Sequence, residues 1–390
     1  MRPLLLLLFV STLLGACRSR GAEQLPQSAA QASALLTESD VRIHPSVDTT
    51  AAAEREAIAC LRRFFTKKLV HDAGNDYWYA ADLERYGAPY SELFYAEYDS
   101  VGELRYRPTV LALRPVEEGR MITVMWAADG EGADQARYMF EFLVRSTEVG
   151  ARLSFPITRN TAAWERREYG SITYVISPRH VFDPAQAAEQ RSVIEQFAAW
   201  FEVPVFPITF YSFADPADLY RAKGFLWHPL MHTITTGGMV DEGNNVYSGN
   251  NKDIYTHEVV HLFSHRKFPD RSDLLDEGLA TWIGGSTERD YAWHRANMGN
   301  YLLSDTSIDL RDRCNTYQRD DIAEHTSVPY MVGALLCERI VRTEGKKGLF
   351  RALAASGDIW TVLADHGITR DNLTDELRKE LRKDPLRAFQ

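Results

Sequence analysis

Cysteine is scarce in this chain of 390 residues: there are four, and none has the C-x-x-C spacing of a redox dithiol or a thiolate zinc site. Long basic runs are missing as well, and a formal net charge of -10 argues against a nucleic-acid partner, whose phosphates need cations to neutralise them. The apolar stretch over residues 4–14 is too short to span a bilayer. Residues 18 to about 50 have almost no aromatic side chains and no sustained apolar period, so they bury too little surface to fold and read as a tether. The whole, with 45% hydrophobic and 25% charged residues, has the composition of a soluble globular protein, and its length suggests two domains plus processing segments.

The N-terminus reads as a targeting signal. Arg2 gives a short positive region ahead of the apolar stretch, and Leu14-Gly15-Ala16-Cys17 resembles the lipobox of bacterial lipoproteins. Removal of residues 1–16 would leave Cys17 carrying diacylglycerol and an amide-linked acyl chain, enough for stable membrane anchoring, with residues 17–50 holding the body off the surface. An ordinary secretory signal with an incidental cysteine is the alternative, and both export the protein. Arg18 is not the aspartate associated with inner-membrane retention, which favours the outer membrane, with the body in the periplasm or on the surface. An oxidising compartment permits a disulfide among Cys60, Cys314 and Cys337. The pair Cys314–Cys337 is expected, because both lie in the C-terminal helical part, with buried free thiols as the alternative.

The periodicity predicts an α+β chain in two parts. In residues 51–160, a helix over 52–70 carries the apolar stripe Ile58, Leu61, Phe64, Phe65 and Leu69. Strand-like runs follow over 93–98, 109–114, 121–127, 138–146 and 151–157, separated by Gly-, Asp- and Glu-rich turns. A helix on a curved antiparallel sheet resembles the cone of the NTF2-like superfamily. Trp78, Tyr79, Tyr95 and Trp126 would then be either core or the lining of a ligand cavity. In residues 165–390, strands are expected over 169–177, 205–212, 231–236 and 246–248, and helices over 185–201 and 216–222. Beyond Gly285 the pattern is helical, over 288–303, 327–343, 348–355, 358–366 and 371–382.

One stretch organises the second part: T-H-E-V-V-H-L-F-S-H, followed by D-L-L-D-E-G-L-A-T-W-I-G-G. On a helix over 256–265, His257 and His261 project from one face and can share a tetrahedral Zn²⁺. Glu258 stands beside the first of them, placed to take a proton from a water at the metal. A catalytic zinc site wants three protein ligands and an open position, and Glu277, on a second helix over 275–284, is a plausible third.

These residues resemble the gluzincin metallopeptidases, in which H-E-x-x-H is completed by a glutamate in an E-G-x-A stretch, here Glu277-Gly278-Leu279-Ala280. The resemblance implies zinc on His257, His261 and Glu277, Glu258 as general base, and a peptide or protein substrate. Two further segments match the aminopeptidase-N-like branch. Gly237-Gly238-Met239 stands where that branch has an edge strand that pairs with substrate backbone, and Val328-Pro329-Tyr330-x-x-Gly333 resembles the segment whose tyrosine, here Tyr330, donates to the oxyanion. His325, His294 and Tyr317 are alternative donors. The branch's G-x-M-E-N reads G-G-M-V-D in this chain, so its aminopeptidase specificity is not carried over. Thr281 stands where thermolysin relatives keep an orienting Asp, which leaves Asp276 and Asp273 as candidates for that role. The closest likeness is to peptidase-MA-like lipoproteins. His265 reads as a solvated residue at a helix C-terminus, and Pro229 makes a metal pair of His228 and His232 unlike any helical one. A second reading, from another class, is a lipid-anchored ligand-binding protein with a non-catalytic zinc site.

Overall fold

Alternating burial builds the first sheet. In the computed structural model, which describes residues 36–69, 75–88, 91–99, 103–128, 136–318, 320–323 and 325–389, β1 (Arg42–Ile43) pairs parallel with β2 (Tyr106–Val116). The sheet continues antiparallel through β3 (Gly119–Ala128), β4 (Ala136–Thr147) and β5 (Gly150–Ser154). Helix α1 (Ala52–Lys67) turns Ala57, Ile58, Cys60, Leu61, Phe64 and Phe65 onto this sheet, the 3.6-residue stripe anticipated from the sequence. Phe64 and Phe65 meet Trp78, Trp126 and Phe142 edge-on at 5.6–6.2 Å. Trp78 and Trp126 are therefore core residues, and Tyr79 is exposed.

Two expectations for this half are corrected. The tether does not extend to residue 50: Leu36 and Val41 are buried in the first core, and β1 joins the sheet edge. The signal sequence and Cys17 lie outside the described residues. Residues 93–98 are turns rather than a strand, because buried Lys68 Nζ ties them down, bonding Leu93 O and Glu97 at 2.5 Å each while Trp126 Nε1 donates to the same carboxylate at 2.7 Å. After the short helix α2 (Ala80–Tyr86), the segment past β5 turns at Ile157 into the one-turn α3 (Ile157–Asn160).

The second sheet begins with a hairpin, β6 (Glu165–Tyr169) and β7 (Ile172–Ile176), not the single strand expected over 169–177: Gly170, at φ +62°, reverses the chain. Helix α4 (Pro184–Phe201) starts on the Asp183 side chain, which accepts from Ala185 and Gln186 amides. Then come β8 (Ile208–Ser212), α5 (Pro216–Lys223), β9 (Phe225–Trp227), α6 (Leu230–Thr233), β10 (Gly238–Val240) and β11 (Asn245–Ser248). Residues 231–236 are thus not a strand, since Pro229 starts a helical turn there. The strand order is β10-β11-β8-β7-β6.

This sheet is buried on both faces. Ile172, Tyr174, Ile208, Phe210, Val240 and Val246 point into the core of the second half. Val175, Tyr211, Met239 and Tyr247, one residue out of phase, point into the first core. Strand β9 leaves its neighbours to pair with β4 of the first sheet, Phe225 opposite Phe140 and Trp227 opposite Met139.

The rest is helical: α7 (Thr256–Lys267), α8 (Asp273–Gly284), α9 (Tyr291–Ser304), α10 (Val328–Ala354), α11 (Ile359–Ala364) and α12 (Leu373–Leu381). A left-handed Gly345 kinks α10 where two helices were expected. None of the described helices is long and apolar enough to cross a membrane. The disulfide Cys314–Cys337 is not formed. Cys337 Sγ lies in the α8–α10 contact, 3.6 Å from Leu275 O, whereas Cys314 Sγ lies 3.5 Å from Leu310 O, and Cys60 is likewise a free thiol.

Candidate metal centre

The run-in to α7 is held from below by a buried polar knot. Asp253 accepts from Ser212 Oγ at 2.5 Å, from the Asp183 amide at 2.6 Å and from His180 Nε2 at 3.0 Å. The amides of Asp253 and Tyr255 donate in turn to Gln186 and Gln190 of α4. With its start fixed, α7 buries every side chain from His257 to Ser264, and the His257 and His261 rings stand 5.0 Å apart on one face. The end of α8 abuts the start of α7, and a Cβ on Gly284 would come within 2.5 Å of the His257 amide nitrogen.

Both imidazoles are oriented by their Nδ1 atoms. His257 Nδ1 donates to Gly285 O at 2.7 Å and His261 Nδ1 to Asp276 Oδ2 at 2.8 Å. Each ring therefore offers its Nε2 lone pair to the same point. Glu277 Oε2 lies 3.4 Å from His257 Nε2 and 3.6 Å from His261 Nε2. Two donors about 2.0–2.1 Å from a tetrahedral ion stand about 3.3–3.4 Å apart, so the spacing fits a shared divalent ion. His261 Nε2 and Glu277 Oε2 are buried with no hydrogen-bond partner in the protein. Leaving such atoms unmatched costs about 1–3 kcal/mol each, a cost that a bound cation would remove.

Asp276 is the hub behind the ligands. It accepts hydrogen bonds from Ser264 Oγ and His261 Nδ1, and the Arg271 guanidinium stands beside it as an ion pair, Nε 2.8 Å from Oδ1. Burial alone would raise its pKa, but Arg271 and His261 outweigh it and hold the carboxyl below the usual range. With no ion beside it, burial opposes a charge on His261, yet Asp276 and Glu277 push its pKa up to about 9, so a bound cation would take the place of a proton on Nε2. His265 is not a solvated terminal residue: it is half-buried, its Nε2 3.2 Å from Asp276 Oδ2. His261, His265 and Asp276 form a second convergent group, but hydrogen bonds among them already account for its geometry. Asp273 is not an orienting residue for the imidazoles; it accepts from Tyr317 OH at 2.6 Å, which also occupies that proposed donor.

Glu258 is buried on α7, close enough for its charge to act on His261. Tyr330, in the first turn of α10, is half-buried with its ring 6.3 Å from that of His257 and tilted only 16° from parallel. Two glycines make this approach possible. A Cβ on Gly278 would sit 2.1 Å from Gly333 C, and one on Gly333 2.1 Å from Leu274 O, so α8 and α10 cross at backbone contact. Glu277 precedes the first glycine and Tyr330 lies one turn before the second.

Strand β10 is the outer strand of its sheet and packs beside α7. Gly237 leads into it, its amide bonded to Asn250 Oδ1 at 2.6 Å, and Gly238 has no room for a Cβ beneath the Tyr255 ring. The Met239 side chain faces away, into the first core, where Lys223 Nζ lies 3.0 Å from its Sδ. Of the other donors considered, His294 is engaged at both nitrogens, with Ser286 O and Thr326 Oγ1, and His325 is exposed. His228 is clamped between the Tyr138 and Tyr220 rings, and His232 is exposed. Arg271 and Ser264 are the residues that sequence reasoning missed; the only hint of them is that Asp276 directly precedes the glutamate. No protein-family model matches the chain, and no curated protein matches it either.

Proposed function

We propose that this chain is a zinc-dependent metallopeptidase of the gluzincin kind, lipid-anchored through Cys17 in the bacterial envelope and acting on peptide or protein substrates. In this reading residues 165–390 are the peptidase domain, and the preceding sheet and helix are an NTF2-like cone. The observation that carries it is the orphaned pair of buried atoms, His261 Nε2 and Glu277 Oε2, with Glu277 Oε2 3.4 Å from His257 Nε2 and 3.6 Å from His261 Nε2.

His257, His261 and Glu277 would hold the ion. Bound there, zinc supplies Lewis acidity, lowering the pKa of a water and polarising a carbonyl. Glu258, one residue from the first ligand on the same helix, takes the proton as water attacks the scissile carbonyl and passes it to the leaving amine. Tyr330 donates to the oxygen on which charge develops. The outer edge of β10 beside α7, reached at Gly238 between Gly237 and Met239, would align an extended peptide by main-chain hydrogen bonds.

Metal analysis followed by cleavage of a peptide library tests the assignment. One zinc per chain and chelator-sensitive cleavage are expected. The Glu258→Gln protein should keep its zinc and lose about 10²- to 10⁴-fold in rate. Wild-type turnover by that variant would sink the general-base role. Zinc without turnover on any peptide would shift the assignment to a ligand-binding lipoprotein with a non-catalytic ion.

A further inference from the structure

A cleft of about 360 Å³ lies at the turn that follows Gly285, lined by Lys252, Thr287, Glu288, Arg289 and His325. One of its walls is the turn that orients His257. Gly285, whose carbonyl holds His257 Nδ1 at 2.7 Å, begins the turn that carries Thr287 to Arg289. Buried His294 fastens that turn to the opposite wall. It bonds Ser286 O at 2.8 Å through Nε2 and Thr326 Oγ1, next to His325, at 3.0 Å through Nδ1. Lys252 comes from the segment just before Asp253, the buried hub ahead of α7.

Backbone strain collects at this place. The described non-glycine residues with positive φ are seven, and five of them (Asn251, Thr287, Glu288, Ala323 and His325) lie in the cleft or within two residues of a cleft residue. Such conformations cost about 1–3 kcal/mol each and persist where the surrounding fold holds them for a purpose. The charge of the cleft also runs against that of the molecule. In a chain of net charge -10, its lining among the described residues carries two cations, Lys252 and Arg289, against one carboxylate, Glu288. Glu288 pairs with Lys252 at 2.9 Å, with both side chains more than a third exposed, so the pair is weak and opens at little cost.

We propose that this cleft is an anion subsite that receives a carboxylate of the substrate, so that the enzyme selects acidic peptides. The inference rests on the metallopeptidase reading, because it is the scissile bond at the metal that the bound carboxylate would position. The carboxylate belongs either to the substrate's C-terminus or to an Asp or Glu side chain near the scissile bond. Both engage Arg289 and Lys252 by charge-assisted hydrogen bonds.

Binding to the zinc-loaded Glu258→Gln protein tests it without turnover. The probes are fluorescent peptides in matched pairs, one pair differing as C-terminal carboxylate against amide, the other as internal Asp against Asn. At least one acidic member should bind about tenfold more tightly than its neutral partner, and the pair that discriminates identifies the source. Arg289→Gln and Lys252→Gln, both at accessible positions, should reduce that ratio towards one, Arg289→Lys should restore part of it, and Glu288→Gln should increase it. Equal binding within both pairs, or an unchanged ratio in Arg289→Gln, would overturn the subsite. A protein that discriminates between the probes but is metal-free and inert would overturn the peptidase reading instead.

Discussion

Asp276 accepts the Nδ1 proton of His261 at 2.8 Å, and it does so while paired with Arg271 on its other oxygen at 2.8 Å. The imidazole is thereby locked in the tautomer that leaves Nε2 free, and the carboxylate is kept charged by a buried guanidinium. Asp276→Asn should weaken zinc affinity by about 10- to 100-fold in a competition titration with a chromogenic chelator. It should also lower the melting temperature, because Arg271 would be left buried without its counter-charge. Unaltered zinc affinity in that variant would remove Asp276 from the metal centre.

Tyr330 lies against His257 in nearly parallel orientation. Tyr330→Phe keeps the ring and deletes the donor, so kcat should fall about 10²- to 10³-fold while zinc content and KM change little. A rise in KM at constant kcat would assign the ring to substrate packing.

The crossing of α8 and α10 at Gly278 and Gly333 leaves no volume for a methyl group on either side. Gly333→Ala should cost about 1–3 kcal/mol in urea unfolding, the usual range for overpacking. Because Glu277 and Tyr330 ride on these two helices, zinc affinity and turnover should fall with it. A variant as stable and as active as wild type would show that the helices can separate without consequence.

His228 is buried in its neutral form. Leu230 N–H donates to its Nδ1 at 3.1 Å, the Tyr138 and Tyr220 rings cover both faces, and Arg137 and Lys223 stand near enough to disfavour a further positive charge. Burial, then those two cations, push its pKa down to about 3. An unfolded histidine binds its proton near pH 6.5, so between those values the unfolded chain holds the extra proton. The contribution is present above pH 6.5 and lost as pH falls, at about 1.4 kcal/mol per pH unit. Comparing stability against pH for wild type and His228→Gln isolates this slope; identical slopes would mean that His228 can be charged in the fold.

Legibility followed the range of the interactions. The stripe of α1 and the convergence of the two α7 histidines with the glutamate after them were legible, because helical periodicity places i and i+4 together and the spacing of the three side chains matches a ligand pattern. Asp276 could be narrowed to a pair with Asp273, but choosing between them needed Tyr317, which engages Asp273 from 44 residues away. Residues 93–98 carry strand-like aromatics, and what prevents a strand is Lys68, a distant cation buried beneath them. The turn at 230–233 was hidden because Ile234 and its threonine neighbours argue for extension more loudly than Pro229 argues for a helix. His265 looked solvated because nothing local announces that Asp276 returns to it.

Strand β9 has a consequence for how the chain can be divided. It belongs by order to the half that bears His257, His261 and Glu277, yet it completes the edge of β4 in the other half, while Tyr211, Met239 and Tyr247 fill the first core from beneath. A cut near residue 160 would therefore strip the front portion of its own flooring and leave main-chain amides of β4 bare. The two halves are stitched rather than strung, so a shortened version of this protein inherits an open seam instead of an independent module.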